Sequence, residues 1–382
     1  MLFKVFKSGI TLYHMIKRLA IKNFKSYRDA EFEFGKVNVV VGPNGSGKTN
    51  LVDAFSFLKQ LIRPLSYPPY PFIRWGDYKN VIFMQDENLD ISFEINGTYK
   101  SKDYHYEVSL NNLQIKKEII NFASHTIERE NNVIRYENKE VTISQNLSVF
   151  NLFVSQIIPN ITIIYNLNFP LPGEFIDFMT NFLNDIGVFR IVPQIAVSPV
   201  HFTFPEAVDE NGRGLVKVIA NNLTKIIESE NMKPLHDFLN ENNISLRPVF
   251  TEDGNIRLYF VEKSENRELI LPPSSVSDGF IKMLTILVAV YLLGLSTIVI
   301  DEIENSLHLR YIENLIDVMR YSNTQFIMTT HSPLIIDFMD PSEIIILDKE
   351  KGETKVSKIN EPNKLKEKLV NDGILLSEWI LY

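Results

Sequence analysis

Alternating apolar and polar positions open the chain and predict strands. Two alternating segments, IKRLAIKNF and DAEFEF, lie between Ile16 and Phe34. The continuous apolar run KVNVVV that follows is typical of a buried strand, and it ends in a glycine-rich loop. Beyond the loop, apolar residues recur at helical spacing, so the predicted order is strand, loop, helix. The residues on that helical face are Leu51, Val52, Phe55, Leu58 and Leu61.

The middle of the chain changes pattern twice. Prolines between Pro64 and Pro71 end the first helix. Alternation from Val81 to roughly Ile143 predicts an antiparallel meander. Helical patterns dominate from Leu147 to Asn242, and the strands SLRPVF and IRLYFVEK follow.

The last part of the chain alternates helices and strands. A helix from Phe280 to Leu293 precedes the strand STIVI, and a helix from Leu307 to Tyr321 precedes the strand TQFIMTT. The strand EIIILD then precedes a terminal helix. Strands separated by helices indicate βαβ units and a parallel sheet. The sequence has no internal repeat and no long heptad array, which argues against a long coiled-coil arm.

The amino-acid composition excludes several classes of protein and of functional site for this chain. The 382 residues are 45% apolar, enough for a large core in one large or two ordinary domains. Cysteine is absent, which excludes disulfides, thiolate metal sites and cysteine catalysis. No signal peptide is evident, and the longest apolar run, Phe280–Leu293, contains Lys282 and is too short to span a bilayer. We therefore expect a cytoplasmic protein with no membrane partner, whose residues 1–14 extend beyond the fold.

The net charge of −8 argues against a surface that binds nucleic acid throughout, but it permits a local basic patch. A solvated edge strand with a basic tail is the ordinary explanation of such a patch, and a nucleic-acid contact is the alternative. The basic residues that precede the first acid, Asp29, are Lys4, Lys7, Lys17, Arg18, Lys22, Lys25 and Arg28.

The loop GPNGSGKT, Gly42–Thr49, fits the pattern G-x-x-x-x-G-K-[ST] between a strand and a helix. Its glycines let backbone N–H groups converge on a phosphate, and the following helix adds its N-terminal partial positive charge. We expect Lys48 to reach the β- and γ-phosphates and the Thr49 hydroxyl to bind Mg²⁺. An ordinary glycine turn needs neither residue at these positions. The predicted nucleotide-binding residues of this P-loop are Gly42, Pro43, Asn44, Gly45, Ser46, Gly47, Lys48, Thr49 and Asn50.

The apolar strand STIVI runs directly into Asp301 and Glu302. A P-loop needs an acidic partner at a strand end to hold the metal. Asp301 is therefore predicted to bind Mg²⁺, directly or through water, and Glu302 to polarise the attacking water. Two adjacent acids at a strand end also suit a helix cap, but a P-loop in the same chain favours the catalytic role.

His331 directly follows the strand TQFIMTT, which comes one helix after Asp301 in the chain. That order places the two residues at the same edge of a parallel sheet. A lone histidine is usually structural, but the position of His331 at a strand end favours a contact with the γ-phosphate.

Ser277, Asp278 and Gly279 directly precede the helix predicted to begin at Phe280. Free backbone N–H groups and the helix dipole at such a terminus favour an anion. Ser277 or Asp278 also fits a simple capping role, and the residues alone do not decide between the two.

The order of these motifs resembles that of the ATP-binding-cassette ATPases, in their SMC- and RecF-like branch. VSDGF, Val276–Phe280, stands where the cassette signature L-S-G-G-Q stands, ahead of the Walker B strand that ends in Asp301. Residues 16–62 and 265–345 are similar to single-chain "AAA family" ATPases of the overcoming-lysogenization-defect type. The resemblance implies an α/β fold of the ABC-ATPase head type, with a mixed central sheet, an antiparallel β subdomain and a helical signature lobe.

The resemblance also implies domain boundaries. Residues 1–15 would be an N-terminal extension, and 16–144 would form lobe I with the P-loop and the antiparallel subdomain. Residues 145–294 would form the mainly helical lobe II with the signature. Residues 295–382 would complete lobe I with the Walker B strand, the D-loop, the H-loop histidine His331 and a C-terminal helix.

By the same resemblance, the cofactors are ATP and Mg²⁺ and the partner is a second copy of the chain. Ser277, Asp278 and Gly279 would bind the γ-phosphate of ATP held by that copy, in a head-to-tail dimer that encloses two ATP molecules. The segment Asn305–His308 takes the place of the D-loop. Gln85 is the nearby candidate for the Q-loop glutamine that senses Mg²⁺, although its context fits poorly.

The segment after His331 is too short for the Toprim nuclease domain of the overcoming-lysogenization-defect nucleases, and a chain without cysteine has no CxxC hook. We therefore expect an ATPase that drives a separate effector or nuclease chain, in antiviral defence or DNA maintenance. Two alternatives remain. One is a DNA-binding repair clamp that uses the basic N-terminal segment, and the other is a nucleotide-switch regulatory subunit with little turnover.

Overall fold

The computed structural model describes residues 14–62, 71–142, 171–182, 184–264 and 267–381. These residues form two compact units. The described residues from 14 to 186 and from 339 to 381 make one, which we call the P-loop unit. Gly187–Phe338 make the other, which we call the signature unit.

Both units contain strands and α-helices. In chain order, the strands of the described residues are β1 (His14–Phe24), β2 (Tyr27–Glu33), β3 (Val37–Val41), β4 (Ile91–Tyr99), β5 (Lys102–Leu110), β6 (Ile115–Phe122), β7 (His125–Glu130), β8 (Val133–Tyr136), β9 (Lys139–Thr142), β10 (Ile186–Phe189), β11 (Val200–His201), β12 (Ile244–Phe250), β13 (Asn255–Ser264), β14 (Arg267–Leu271), β15 (Thr297–Ile300), β16 (Gln325–Thr329), β17 (Ile344–Glu350) and β18 (Glu353–Lys358). The α-helices of the same residues are Lys48–Ile62, Gly173–Asn181, Pro193–Ala196, Leu215–Asn221, Leu223–Glu228, Lys233–Glu241, Asp278–Leu287, Leu309–Tyr321, Pro333–Asp337, Pro362–Asp372 and Leu376–Leu381.

The P-loop unit contains an antiparallel sheet in the order β2-β1-β4-β5-β6-β7-β8-β9. Every second residue of β4 is buried, as expected of a sheet with one face on the core. The helix Gly173–Asn181 contributes Phe178, which stacks on Phe122 of β6 with ring centroids 4.5 Å apart. The meander predicted from the alternation is present as β4–β9.

A second group of strands in this unit positions the glycine-rich loop. β3 pairs in parallel with β17, and β17 pairs antiparallel with β18. β3 is buried along its whole length, as its continuous apolar run predicts. The loop connects the carboxyl end of β3 to Lys48–Ile62, which we call the P-loop helix, so the predicted order of strand, loop and helix is confirmed.

In the signature unit, β15 and β16 pair in parallel with Ile300 opposite Met328. Both strands are fully buried, and the helix Leu309–Tyr321 connects them. This is the predicted βαβ unit. It brings the carboxyl ends of the two strands to the same edge of the sheet.

The helix Asp278–Leu287, which we call the signature helix, is buried over nearly all of its length. Its Phe280 stacks on Phe238 with ring centroids 4.9 Å apart. The sequence pattern predicted a helix from Phe280 to Leu293. The helix instead begins at Asp278 because Ser277 caps it, and it continues as a π-helical segment, Val288–Leu292.

Among the described residues, four strands were not predicted: β10, β11, β14 and β18. Two of them are very short, and every residue of β14 is at least partly exposed, so it lacks the alternation that marks a half-buried strand. The region Leu147–Asn242 is mainly helical where it is described, but it also contains β10 and β11. Lys4, Lys7, Pro64 and residues 147–170 lie outside the described residues. None of the described helices combines the length and apolar character that a bilayer crossing needs.

Candidate functional site

The glycines of the P-loop are required by its geometry. Gly42, Gly45 and Gly47 have φ values of +150°, +77° and +110°, which side chains rarely tolerate. A Cβ on Gly42 would lie 2.1 Å from the Leu347 carbonyl oxygen, and one on Gly47 would lie 2.5 Å from Thr354 Oγ1. The loop is thus closely backed by β17 and β18, and only glycine fits at these two positions.

The lysine, serine and threonine side chains of the loop have different surroundings. Lys48 Nζ donates to the carbonyl oxygens of Gly42 at 2.7 Å and Pro43 at 2.9 Å, so the ammonium group lies across the loop. The Ser46 hydroxyl is buried and has no hydrogen-bond partner in the described residues. Thr49 is exposed at the start of the P-loop helix. A buried hydroxyl without a partner and an exposed threonine beside a lysine fit a phosphate and its Mg²⁺.

Ser26, Tyr27 and Thr354, which the sequence analysis did not predict as site residues, support the loop through hydrogen bonds. Thr354 donates its hydroxyl hydrogen to the Ser46 carbonyl at 2.7 Å and also lies 2.6 Å from the Ser26 hydroxyl. Tyr27 donates to the Gly47 carbonyl at 2.8 Å, and Asn50 donates to Ser26 at 2.7 Å. The bonds from Thr354 and Tyr27 fix the loop's backbone through its carbonyl oxygens and use none of its N–H groups.

A cavity of about 390 Å³ opens beside the P-loop helix in the same unit. Gln85, the predicted Q-loop residue, lines this cavity together with Asn50. Met84 and Gln85 both have left-handed backbones, with φ of +53° and +60°. Such strained conformations in non-glycine residues cluster at functional sites. The polar side chains around the cavity are those of Lys25, Ser26, Asn50, Lys79, Asn80, Gln85 and Lys349.

In the signature unit, Asp301 is held by two partners. Thr329 donates to its Oδ1 at 2.7 Å, and Arg190 Nε donates to its Oδ2 at 3.1 Å. Arg190 also pairs with Glu210 at 2.5 Å. Only 8% of the Asp301 side chain is exposed. Arg190, directly after β10, is a functional candidate that the sequence analysis missed.

Glu302 follows with a left-handed backbone, φ +47°. Its N–H donates to Thr329 Oγ1 at 2.8 Å, and its carboxylate accepts from Asn305 Nδ2 at 2.6 Å. The Glu302 side chain is exposed. The geometry therefore fixes the backbone of this residue and leaves its carboxylate accessible to a water molecule.

His331 lies at the end of the neighbouring strand, as its spacing from Asp301 predicted. Its N–H donates to Glu304 Oε1 at 2.7 Å, and Thr330 donates to the other oxygen of Glu304 at 2.8 Å. The histidine is exposed. Glu304 thus links the turn after β15 to the end of β16 and places the two predicted catalytic residues on one edge.

The residues of the signature motif have distinct local roles. Ser277 is the N-cap of the signature helix and accepts from the Phe280 N–H at 3.3 Å. Asp278 turns its carboxylate to Gln194, whose Nε2 donates to both oxygens at 2.9 and 3.0 Å. A Cβ on Gly279 would lie 2.5 Å from the Ser306 carbonyl oxygen. Glycine is therefore needed where the signature helix meets the predicted D-loop.

The metal ligands predicted from sequence, Thr49 and Asp301, are oxygen donors of the kind that Mg²⁺ prefers. The described residues contain no cluster of three or more histidines and acids.

Residues 37–337 match the family described as "AAA domain, putative AbiEii toxin, Type IV TA system". The chain belongs to this family. The matched residues of this AAA-domain chain include the P-loop, the signature motif and His331.

Individual relatives agree on the class of protein. An ATP/GTP phosphatase of Helicobacter pylori is 27% identical over 349 residues, 85% of this AAA-domain chain and 88% of that protein. A DNA replication and repair protein RecF of Bacillus mycoides is 35% identical over 105 residues, only 27% of either chain. A solved Smc head bound to the C-winged helix domain of ScpA matches with a TM-score of 0.56 and 15% identity, over 92% of this chain and 99% of that one. The chain is therefore a P-loop ATPase of the ABC/SMC-like class with the fold of an ABC-type head.

Proposed function

We propose that this chain is a Mg²⁺-dependent ATPase that closes as a head-to-tail homodimer on ATP, opens after hydrolysis and drives a separate effector. The observation that carries ATP binding is the P-loop itself, in which close backing by β17 and β18 leaves room only for glycine at Gly42 and Gly47. The buried Ser46 hydroxyl, which has no partner within the described residues, adds a group suited to phosphate.

Each predicted residue has a role that its surroundings support. Lys48 neutralises the β- and γ-phosphates, while the loop Gly42–Asn50 supplies backbone N–H donors from its residues other than Pro43. Thr49 and Asp301 are the proposed ligands of Mg²⁺, which offsets the charge on the phosphates during transfer. Glu302 orients and polarises the attacking water, and His331 contacts the γ-phosphate. Gln85 remains a proposed sensor of Mg²⁺, supported by its position in the cavity beside Asn50.

The proposed dimer rests on the helix N-terminus formed by Ser277, Asp278 and Gly279. A phosphate of the second copy's ATP would meet the Ser277 hydroxyl and the free N–H groups of the signature helix. The carboxylate of Asp278 is bound by Gln194, and this supports a contact through Asp278's backbone, because its negative charge would repel a phosphate.

An effector partner is proposed from the family and its relatives. The family description names a toxin of a type IV toxin–antitoxin system, and the similar Smc head is a subunit of a complex with ScpA. We therefore propose that ATP-driven opening and closing act on another protein, in defence or DNA maintenance. The relative described as an ATP/GTP phosphatase makes GTP the competing nucleotide to test.

The deciding experiment uses Glu302→Gln. Without the carboxylate that activates water, ATP turnover should fall on the order of 100-fold or more, and the protein should elute as a dimer with ATP and Mg²⁺ but as a monomer with ADP. Light scattering after size exclusion measures the mass. Glu313→Gln, an exposed glutamate on the helix Leu309–Tyr321, is the matched control and should behave as wild type. An unchanged turnover rate in Glu302→Gln would remove Glu302 from the role of base.

A DNA clamp is the second candidate, favoured by the RecF likeness. The basic segment offers limited support, because Lys17 pairs with Asp103 at 3.1 Å and Arg18 with Glu31 and Glu94 at 2.7 and 2.5 Å. Salt-dependent DNA binding that rises with ATP and falls when Lys17, Arg18 and Lys22 are neutralised would favour it. No binding at low salt would exclude it.

A further inference from the structure

Lys282 lies in the signature helix with only 2% of its surface exposed. Its Nζ donates to two backbone carbonyls, those of Glu302 and Asn305, each at 3.0 Å. Both acceptors belong to the turn that carries the proposed base into the D-loop. One buried cation thus connects the signature helix to the backbone on either side of that turn.

The turn needs such support because its backbone is strained. Glu302 and Ser306 have φ of +47° and +67°, and such left-handed conformations are energetically unfavourable for non-glycine residues. The signature helix contacts both ends of this strained segment. Lys282 binds the Glu302 carbonyl, and Gly279 lies so near the Ser306 carbonyl that a Cβ would approach it to 2.5 Å.

Burying the ammonium group of Lys282 costs free energy, which argues that its contact with the turn is functional. Burial lowers the pKa of Lys282 to about 8, against the opposing influence of Glu304, Glu302 and Asp301. An apolar side chain of similar size would pack there without this penalty. The neighbouring positions Ile281 and Met283 are apolar and buried, so the lysine stands out as the polar group directed at the turn.

We propose that Lys282 is a positioning residue that couples the signature helix to the Glu302–Ser306 turn and holds the Glu302 carboxylate in place for hydrolysis. The inference rests on the proposed function, because it assigns the regulation of that same site. A phosphate seated at Ser277 would act on the signature helix, and Lys282 would transmit that contact to Glu302 in the same chain.

The test compares wild type with Lys282→Met, which keeps length and apolar packing but removes the donors. Hydrogen exchange followed by mass spectrometry should show faster exchange across Glu302–Leu307, by about tenfold, with β15 and β16 unchanged. At saturating ATP, kcat should fall on the order of 100-fold, with the Kd for ATP within about twofold of wild type. Lys225→Met, an exposed lysine in the same unit, should change none of these values.

Unchanged exchange across the turn, or an unchanged kcat, would overturn the proposal. If Lys282→Met does not fold, Lys282→Gln takes its place, since one shorter amide cannot serve both carbonyls; it should show the same loss of kcat at unchanged ATP affinity. If the wild type does not hydrolyse ATP, the proposed function fails, while the exchange measurement still decides whether Lys282 holds the turn.

Discussion

Thr354 and Ser46 stand far apart in sequence, yet the Thr354 hydroxyl donates to the Ser46 carbonyl at 2.7 Å. The same Oγ1 accepts from the Ser26 hydroxyl at 2.6 Å, and the Thr354 N–H donates to the Ser26 carbonyl at 2.8 Å. The hairpin of β17 and β18 thus fixes the backbone of the P-loop through hydrogen bonds to Ser46 and Ser26. ATP affinity should depend on a residue that need not touch ATP.

Thr354→Val tests this dependence. Valine keeps the shape but removes the hydroxyl and both of its hydrogen bonds. The one to the Ser46 carbonyl of the loop is worth about 1 kcal/mol, so the Kd for ATP should rise roughly fivefold. Isothermal titration calorimetry measures the Kd. Thr126→Val, a half-buried strand threonine of the same unit, is the control. Equal affinities in the two variants would contradict the role of Thr354.

Arg190 and Asp301 support a prediction about stability. Arg190→Met would leave the nearly buried Asp301 carboxylate without its cation, and breaking such a pair costs about 3 kcal/mol. Urea unfolding should show this loss. The control is Arg310→Met, whose pair with Glu241 is long at 3.5 Å and more exposed; its loss should stay below about 1 kcal/mol. Similar losses in both variants would show that Arg190 does not balance the charge of Asp301.

Ser277 has two separable roles, and Ser277→Asp distinguishes them. Aspartate caps a helix as well as serine does, so the variant should fold with wild-type stability and bind ATP normally. Its negative charge should abolish ATP-driven dimerisation in the Glu302→Gln background, because it would face a phosphate of the second copy. Light scattering with ATP gives the mass.

The control for that experiment is Ser124→Asp, at an exposed turn of the P-loop unit, which should still dimerise. A stable Ser277→Asp protein that dimerises normally would leave only the capping role. Ser277→Arg provides the complementary variant: loss of dimerisation with ATP binding intact supports the contact in trans, and loss of folding supports the cap alone.

Sequence spacing predicted the P-loop, the two acids and His331 because each depends on local geometry or on one βαβ unit. Arg190, Thr354 and Lys282 were not predicted as functional, because each reaches its partner through the fold and carries no local pattern. Lys282 was visible only as a charge within an apolar run, and that interruption was the available signal. The roles of the predicted site residues, and the three boundaries between the four predicted segments, stay predictions.

His14 provides a pH-dependent test of the P-loop unit. Its ring is buried against Tyr99, Tyr104 and Phe182, with one nitrogen 3.0 Å from the Tyr104 hydroxyl. Burial lowers the pKa of His14 to about 3, so below pH 6.5 the unfolded chain takes up a proton that the folded chain does not. The contribution of His14 to stability is therefore complete above pH 6.5 and is lost as pH falls towards 3.

This linkage should make the unfolding free energy fall by about 1.4 kcal/mol per pH unit within that window from His14 alone. Urea unfolding at a series of pH values measures the slope. His14→Gln removes the titrating group and should lose that part of the slope, whereas the same change at the exposed His201 should keep it. A wild-type slope in His14→Gln would mean that the imidazole takes up its proton in the folded chain as readily as in the unfolded one, which its burial among three aromatic rings opposes.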